Sequence, residues 1–490
     1  MTNTSIVAEK LSGFDRLVEQ GGLHKKPHQR IGVEWMLERE LAKAPLQGVR
    51  GGLIADEMGL GKTVLVIGTI FANFKNRTLI VLPLALLNQW SSQFQRFTGH
   101  SPLVYHGMAK KDITIEQLIA APIVLTTYGN CLTGTNKDSE HIDKNILHRI
   151  PWDRVVFDEA HHLRNEMTRA HKGAVQIQAP IRWLVTGTPI QNRRADFFAL
   201  CHVMGYSKEY YMDSDNLMDI ARWSMLKRTK EQVGIQLPAV KEENVEVKWA
   251  NRDESMLAED IHGMLSFADV RSERQTNAAV AAMSSSVLPT LIRCRQSCVL
   301  PGLMKGSIQK LDNAGLLDSS EYDIKAATSS SSKLDAVCEK IIGRKDNGRG
   351  KLVFCHFRGE IDLLASRLRE AGMNVETFDG RTNLSRRQEI LNNEGLDVLI
   401  LQIKTGSEGL NLQHFKEIYF VSPHWNPAIE DQAVARCHRI GQENEVDIFR
   451  FTMAGFDNEG SRSLDRYASE VQDAKRQIYN ITDEVSAEEK

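Results

Sequence analysis

A chain of 490 residues is too long for one ordinary hydrophobic core and suits two domains of about 200 residues with insertions. Apolar residues make up 42% and charged residues 25%, the mix of a soluble globular protein, and a formal net charge of −2 gives a nucleic-acid partner no global electrostatic support. The longest apolar run, Thr78 to Leu87, is short and holds Pro83, which excludes a bilayer span and a membrane partner. The start Met-Thr-Asn-Thr-Ser lacks the basic-then-apolar build of a secretory signal, so an intracellular protein is expected, nuclear if the host is eukaryotic. Seven cysteines are scattered, and the closest pair, Cys294 and Cys298, has no second pair at zinc-like spacing; reduced, buried thiols are expected.

Residues 1–22 carry Ile6, Leu11, Phe14, Leu17 and Val18 at helical spacing before Gly21-Gly22. A basic entry from Leu23 then leads into a second helix with Ile31, Trp35 and Met36. At its start Gln29 has an amide that can donate and accept at once, the chemistry of an adenine reader; taken alone, a glutamine at a helix start is more often a surface residue.

Gly51-Gly-Leu-Ile-Ala reads as the end of a buried parallel strand, and Glu57-Met-Gly-Leu-Gly-Lys-Thr63 ends like a phosphate-binding loop. Gly59 and Gly61 would let the backbone curl its amides inward, Lys62 would reach the β- and γ-phosphates, and Thr63 would offer a hydroxyl to Mg²⁺. The helix beginning here would turn its positive end to the same phosphates. The general pattern wants glycine where this chain has Asp56, so a Gly-rich strand-to-helix turn without ligand stays open.

Strand and helix then alternate: strands at 77–82, 122–126, 152–157 and 182–185, helices at 85–97 and 195–204. Such alternation argues an α/β fold with a parallel sheet covered on both faces and ligands at the carboxyl ends of its strands. At one of those ends, in Val155-Val-Phe-Asp-Glu-Ala-His-His162, Asp158 can hold Mg²⁺ through water and Glu159 can take a proton from an attacking water; alone, the pair reads as solvated loop. In Thr186-Gly-Thr-Pro-Ile-Gln-Asn192 hydroxyls and an amide follow a buried strand, groups that can hydrogen-bond Glu159 or His161 and relay the nucleotide state, or form a capped turn.

Long helical segments at 256–267 and 280–298 interrupt the alternation, and Ala326-Ala-Thr-Ser-Ser-Ser-Ser332 reads as a flexible connection. Strands at 351–355, 374–378, 397–401 and 417–421, with a helix at 360–371, open a second α/β domain near Lys333. In Gln432-Ala-Val-Ala-Arg-Cys-His-Arg-Ile-Gly-Gln442, Arg436 and Arg439 stand three apart, as on one helical face, either salt-bridged or serving as arginine fingers. Leu464, Tyr467, Val471, Ala474 and Ile478 stripe a terminal helix.

Together, Asp-Glu-Met-Gly-Leu-Gly-Lys-Thr (56–63), Asp-Glu-Ala-His-His (158–162), Thr-Gly-Thr-Pro-Ile-Gln-Asn (186–192), Met-Leu-Lys-Arg-Thr-Lys (225–230), Trp-Asn-Pro (425–427) and Arg-Cys-His-Arg-Ile-Gly-Gln (436–442) resemble, in order, the motifs of the Swi/Snf-related ATPases, the DNA-translocating branch of the second helicase superfamily. The wording is closest to members acting in DNA repair and transcription termination. The resemblance implies two RecA-like parallel-sheet lobes with ATP between them: an N-terminal helical segment (1–22), lobe 1 (23–250), a helical insertion and linker (251–332), lobe 2 (333–455) and a C-terminal helix (456–490).

It further implies that Gln29 reads adenine, that Gly59, Gly61, Lys62 and Thr63 hold phosphates, that Thr63 and Asp158 hold Mg²⁺, and that Glu159 activates water. Gln432, Arg436 and Arg439 complete the site. Double-stranded DNA is the implied partner of a monomeric core, contacted by Thr127, Lys404, Gly406, Asn411, Trp425 and Asn426. The Lys404–Leu412 loop departs from the family in carrying Ser407-Glu408 after Gly406, and a carboxylate there would repel a phosphate backbone. The expected activity is ATP-dependent tracking on duplex DNA that remodels or displaces bound protein. A strand-separating helicase and a non-hydrolysing nucleotide-gated clamp are the alternatives.

Overall fold

Runs of β-branched and aliphatic residues fold into two parallel sheets. The computed structural model describes residues 3–22, 24–132, 145–188, 194–265, 288–313, 317, 320–393, 395–403, 412–456 and 462–487. The chain divides into two units, 1–236 and 237–490.

In the first unit the strands are β1 (Arg50–Ile54), β2 (Thr78–Leu82), β3 (Leu103–Tyr105), β4 (Ile123–Thr127), β5 (Arg154–Asp158), β6 (Ile181–Val185) and β7 (Met225–Leu226), in the spatial order β3-β4-β2-β5-β6-β1-β7. Every pairing is parallel, so all carboxyl ends share one rim. Successive side chains face opposite ways. Leu79, Val81, Val155 and Phe157 pack on one face beneath the helices Arg169–Gln176 and Arg194–Met204; Ile80, Leu82, Val156 and Trp183 pack on the other beneath Pro27–Leu41, Lys62–Ala72 and Leu87–Thr98.

The N-terminal helix Asn3–Gln20 belongs to this second layer rather than standing apart. Val7, Leu11, Phe14, Leu17 and Val18 are buried in the same cluster, and a Cβ on Gly68 would lie 2.5 Å from the Phe14 ring, so glycine there permits the close helix contact.

The second unit is built on β8 (Val240–Val247), β9 (Gly350–Cys355), β10 (Val375–Phe378), β11 (Val398–Gln402), β12 (Phe415–Phe420) and β13 (Val446–Met453), ordered β10-β11-β9-β12-β13-β8 and again wholly parallel. Residues 240–247, expected in the first lobe, thus form the edge of the second sheet. The helices Arg252–Gly263 and Leu288–Val299 are likewise part of this unit's core: Leu257, Ile261, Leu291, Cys294 and Cys298 are buried with Val353, Ile400 and Tyr419.

The serine tract is ordered structure rather than a flexible connection. It closes the helix Ile324–Ser329 and opens Ser332–Ile342, because the buried Glu254 carboxylate accepts the Ser330 hydroxyl (2.7 Å), the Ser332 amide (3.1 Å) and the Ser332 hydroxyl. All seven cysteines are free and buried. None of the described helices is long and apolar enough to cross a membrane, and no cluster of metal-ligating side chains occurs among the described residues.

Candidate active site

The loop between β1 and the helix Lys62–Ala72 has the curled backbone that phosphate binding needs. Gly59 and Gly61 are left-handed, with φ of 92° and 86°, and Gly61 is the N-cap of the eleven-residue helix, which has no side-chain cap. An N-terminus left without a side-chain cap is the arrangement that suits an anion. A Cβ on Gly61 would lie 2.4 Å from Gln29 Nε2, and that amide donates to Leu60 O at 3.3 Å. Gln29 thus sits against the loop backbone. Lys62 Nζ donates to Asp56 O at 2.8 Å, and a Cβ on Gly187 would come within 3.3 Å of it.

Asp56 occupies the glycine position of the general pattern for a visible reason. Its carboxylate, fully buried, receives a two-pronged contact from Arg228: Nε to Oδ1 at 3.0 Å and Nη2 to Oδ2 at 2.5 Å. The third donor, Nη1, reaches His28 O at 2.6 Å. The backbones are stitched alongside: Ala55 N donates to Leu226 O, Glu57 N to Arg228 O and Lys230 N to Glu57 Oε2. Arg228 stands inside the 225–230 motif, but sequence reasoning gave it no role; an aspartate in place of glycine, once buried, demands a cation, and Arg228 supplies it.

One strand separates β1 from β5, and Val185 of that strand, β6, pairs with both Ile54 and Asp158. Asp158 is buried at the rim. Trp90 Nε1 donates to its Oδ2 at 2.7 Å, the Glu159 amide to its Oδ1 at 2.9 Å, and the Tyr128 hydroxyl to its carbonyl at 2.6 Å. Burial, then the Glu159 charge, pushes the Asp158 carboxyl up to about 7, against the opposing pull of Trp90 and Lys62. Glu159 is left-handed at φ 49°, a conformation non-glycine residues hold mainly where the surroundings impose it. Its Oε2 lies 3.3 Å from His161 Nδ1, which is also 3.3 Å from the Thr186 hydroxyl at the end of β6. Gln191 and Asn192 lie outside the described residues.

The residue set fits a magnesium-bound nucleoside triphosphate. A carboxylate with its proton affinity raised by burial is in the electrostatic setting that a divalent cation relieves, and Thr63 in the first turn of the loop helix is a hard oxygen donor of the matching kind.

In the second unit Gln432 is buried in the helix Pro427–Cys437, and its Nε2 has no hydrogen-bond partner among the described residues. Arg436 lies in the last turn of that helix. Arg439, expected on the same helical face, is beyond it: His438 is the C-cap and Arg439 sits in a turn closed by Gln442 N to Arg439 O at 2.9 Å. Burial, then the Arg436 charge, lowers the Arg439 pKa from its ordinary value.

The side chains assigned to duplex DNA are engaged internally where they are described. Thr127 is buried with its hydroxyl 3.2 Å from His106 Nδ1. Asn426 caps its helix, accepting Ala428 N at 3.2 Å with 8% of its surface exposed. Trp425 packs edge-on against Tyr467 and lies beneath the Arg295 guanidinium, 5.2 Å from the ring centre. Lys404, Gly406 and Asn411, with Ser407 and Glu408, lie outside the described residues.

A parallel-sheet unit with a phosphate loop and an Asp-Glu pair on one rim, followed by a second parallel-sheet unit, defines a helicase-like nucleotide hydrolase. Residues 28–303 match the SNF2-related domain and residues 332–441 the helicase conserved C-terminal domain; the chain belongs to the SNF2-related family and is a DNA-dependent ATPase. It is 30% identical over 475 residues to a probable global transactivator of Orgyia pseudotsugata multicapsid polyhedrosis virus, covering 92% of this chain and 90% of that protein.

It is also 26% identical to a DNA excision repair protein ERCC-6-like of Danio rerio and 25% to DNA repair protein RAD5B of Arabidopsis thaliana, over 89% and 83% of this chain. The chain spans 35% and 44% of those two relatives. Among solved structures, the Sulfolobus solfataricus SWI2/SNF2 ATPase core in complex with dsDNA matches at a TM-score of 0.37 and 24% identity, covering 88% of each chain.

Proposed function

We propose that the protein hydrolyses ATP to track along double-stranded DNA and so remodel or displace protein bound there. The observation that carries the chemistry is the shared rim of β1, β6 and β5, which brings Lys62, Thr186, Asp158 and Glu159 together. Lys62 neutralises phosphate charge, exchanging its present carbonyl acceptors for phosphate oxygens. Thr63 and Asp158 would hold Mg²⁺, which would supply charge neutralisation to the phosphates. Glu159 accepts the proton of the attacking water, with His161 and Thr186 restraining it. Gln29 turns its amide from Leu60 O to the adenine edge, and Gln432, Arg436 and Arg439 stabilise the charge that develops on the transferred group.

The reading is supported by the family and by the full set of hydrolytic side chains. Its test is the steady-state ATPase rate without nucleic acid and with duplex DNA, single-stranded DNA and RNA at one fixed salt concentration. Stimulation greatest with duplex DNA is expected; stimulation only by single strands or RNA would replace it with the strand-separating alternative.

A further inference from the structure

We propose that Arg228 is a positioning residue for nucleotide recognition: one guanidinium sets the phosphate loop and the adenine-reading helix in register. The inference rests on the nucleotide reading of this rim. Arg228 lies more than 150 residues from both segments it joins: Asp56 in the loop, and His28 beside Gln29 at the start of Pro27–Leu41. All three guanidinium nitrogens are engaged, two on the Asp56 carboxylate and one on the His28 carbonyl. A planar fork can hold two segments at a fixed spacing in a way that an ammonium cannot.

The surroundings are shaped for it. A Cβ on Gly32, one turn into the adenine-side helix, would lie 2.9 Å from Arg228 Nη2 and 2.9 Å from Leu65 Cδ2, so the absent side chain leaves room for the fork and for the loop helix beside it. The carboxylate end is fixed equally: Asp56 is fully buried, and the flanking residues are hydrogen-bonded to 226–230 through Ala55 N, Glu57 N and the Glu57 carboxylate. His28 Nε2, 3.1 Å from Leu60 O, and Gln29 Nε2 on the same carbonyl close the triangle from the helix side. Without the fork the spacing of the two subsites rests on the His28 and Gln29 contacts to Leu60 O alone, one of which adenine recognition must give up, and a ligand that must touch both binds less well.

The experiment titrates full-length protein with fluorescent N-methylanthraniloyl ADP and its GDP counterpart in Mg²⁺, without DNA, for wild type, R228K and G32A. Melting curves confirm folding. R228K keeps the positive charge but not the fork, and G32A crowds the fork and the Leu65 side chain with Arg228 and Asp56 intact.

Both variants are expected to bind the ADP probe about tenfold more weakly and to lose most of the preference for adenine over guanine. A general loss of stability would not move that ratio. Wild-type affinity in both variants, or equal weakening toward both probes with the preference kept, would overturn the proposal while leaving the nucleotide site standing. A wild-type protein that binds neither probe would overturn both.

Discussion

Glu159 combines a left-handed backbone with a carboxylate held beside His161, and this pairing gives a sharp expectation for its loss. Glu159→Gln should bind a fluorescent ADP analogue within about threefold of wild type and hydrolyse ATP at least about 10³-fold more slowly. Near-normal turnover would remove it as the base. Trp90→Phe acts one contact further out. It takes the indole donor from a buried carboxylate, a bond to a charged acceptor worth roughly 1.5–3 kcal/mol. The Mg²⁺ concentration for half-maximal nucleotide binding should rise about tenfold, with metal-free binding little changed. The placement of the loop, the Asp-Glu pair and Thr186 at the ends of buried strands was legible in sequence; the partners of Trp90 and Arg228 were not, because they lie 68 and 172 residues away.

Among the elements, the interior strands announced themselves as apolar runs, whereas β8, with Lys241, Glu242, Glu243 and Glu246 between its valines, carried no such signal. The serine tract was misread because its order depends on Glu254, far away in sequence. Similarly, the same-face spacing of Arg436 and Arg439 failed where the helix stopped at Cys437. The C-terminal helix Leu464–Ala487 is tied to its unit by a buried Lys333–Asp465 ion pair and by Gln472 and Lys475 on the backbone of His424 and Trp425.

At the start of that helix, His262 Nε2 accepts the Leu464 amide at 3.0 Å while Nδ1 donates to Ala258 O, so the ring is held neutral, and burial pushes its pKa down to about 4. The folded state therefore binds fewer protons than the unfolded chain between pH 6.5 and 4. Its contribution is intact above pH 6.5 and is lost as pH falls towards 4, up to about 3 kcal/mol. Amide hydrogen exchange at 464–471 should accelerate over that interval, and H262Q should flatten the dependence; equal slopes would refute the coupling.

At the scale of the molecule, two units with separate cores divide at Gln236 and Leu237, while the SNF2-related match runs on to residue 303. On the proposed role of Arg436 and Arg439, fragment 1–236 should fold and bind the ADP analogue yet hydrolyse ATP at under about a thousandth of the full-length rate. Hydrolysis by the fragment at the full rate would show that those arginines have no part in the chemistry. Fragment 237–490 should give a cooperative melt of its own, with β8 included; a fragment beginning at 251 should melt at a lower temperature, since β13 would keep β12 but lose its other parallel neighbour.

That pairing also bears on how the protein is made. Val240–Val247 leaves the ribosome about 200 residues before its partner Val446–Met453, roughly 10–40 s at ordinary translation rates. For that interval the strand waits with both edges open. Its charged side chains discourage pairing with a neighbouring nascent chain, so the acidic character of an edge strand serves the growing polypeptide as much as the finished one.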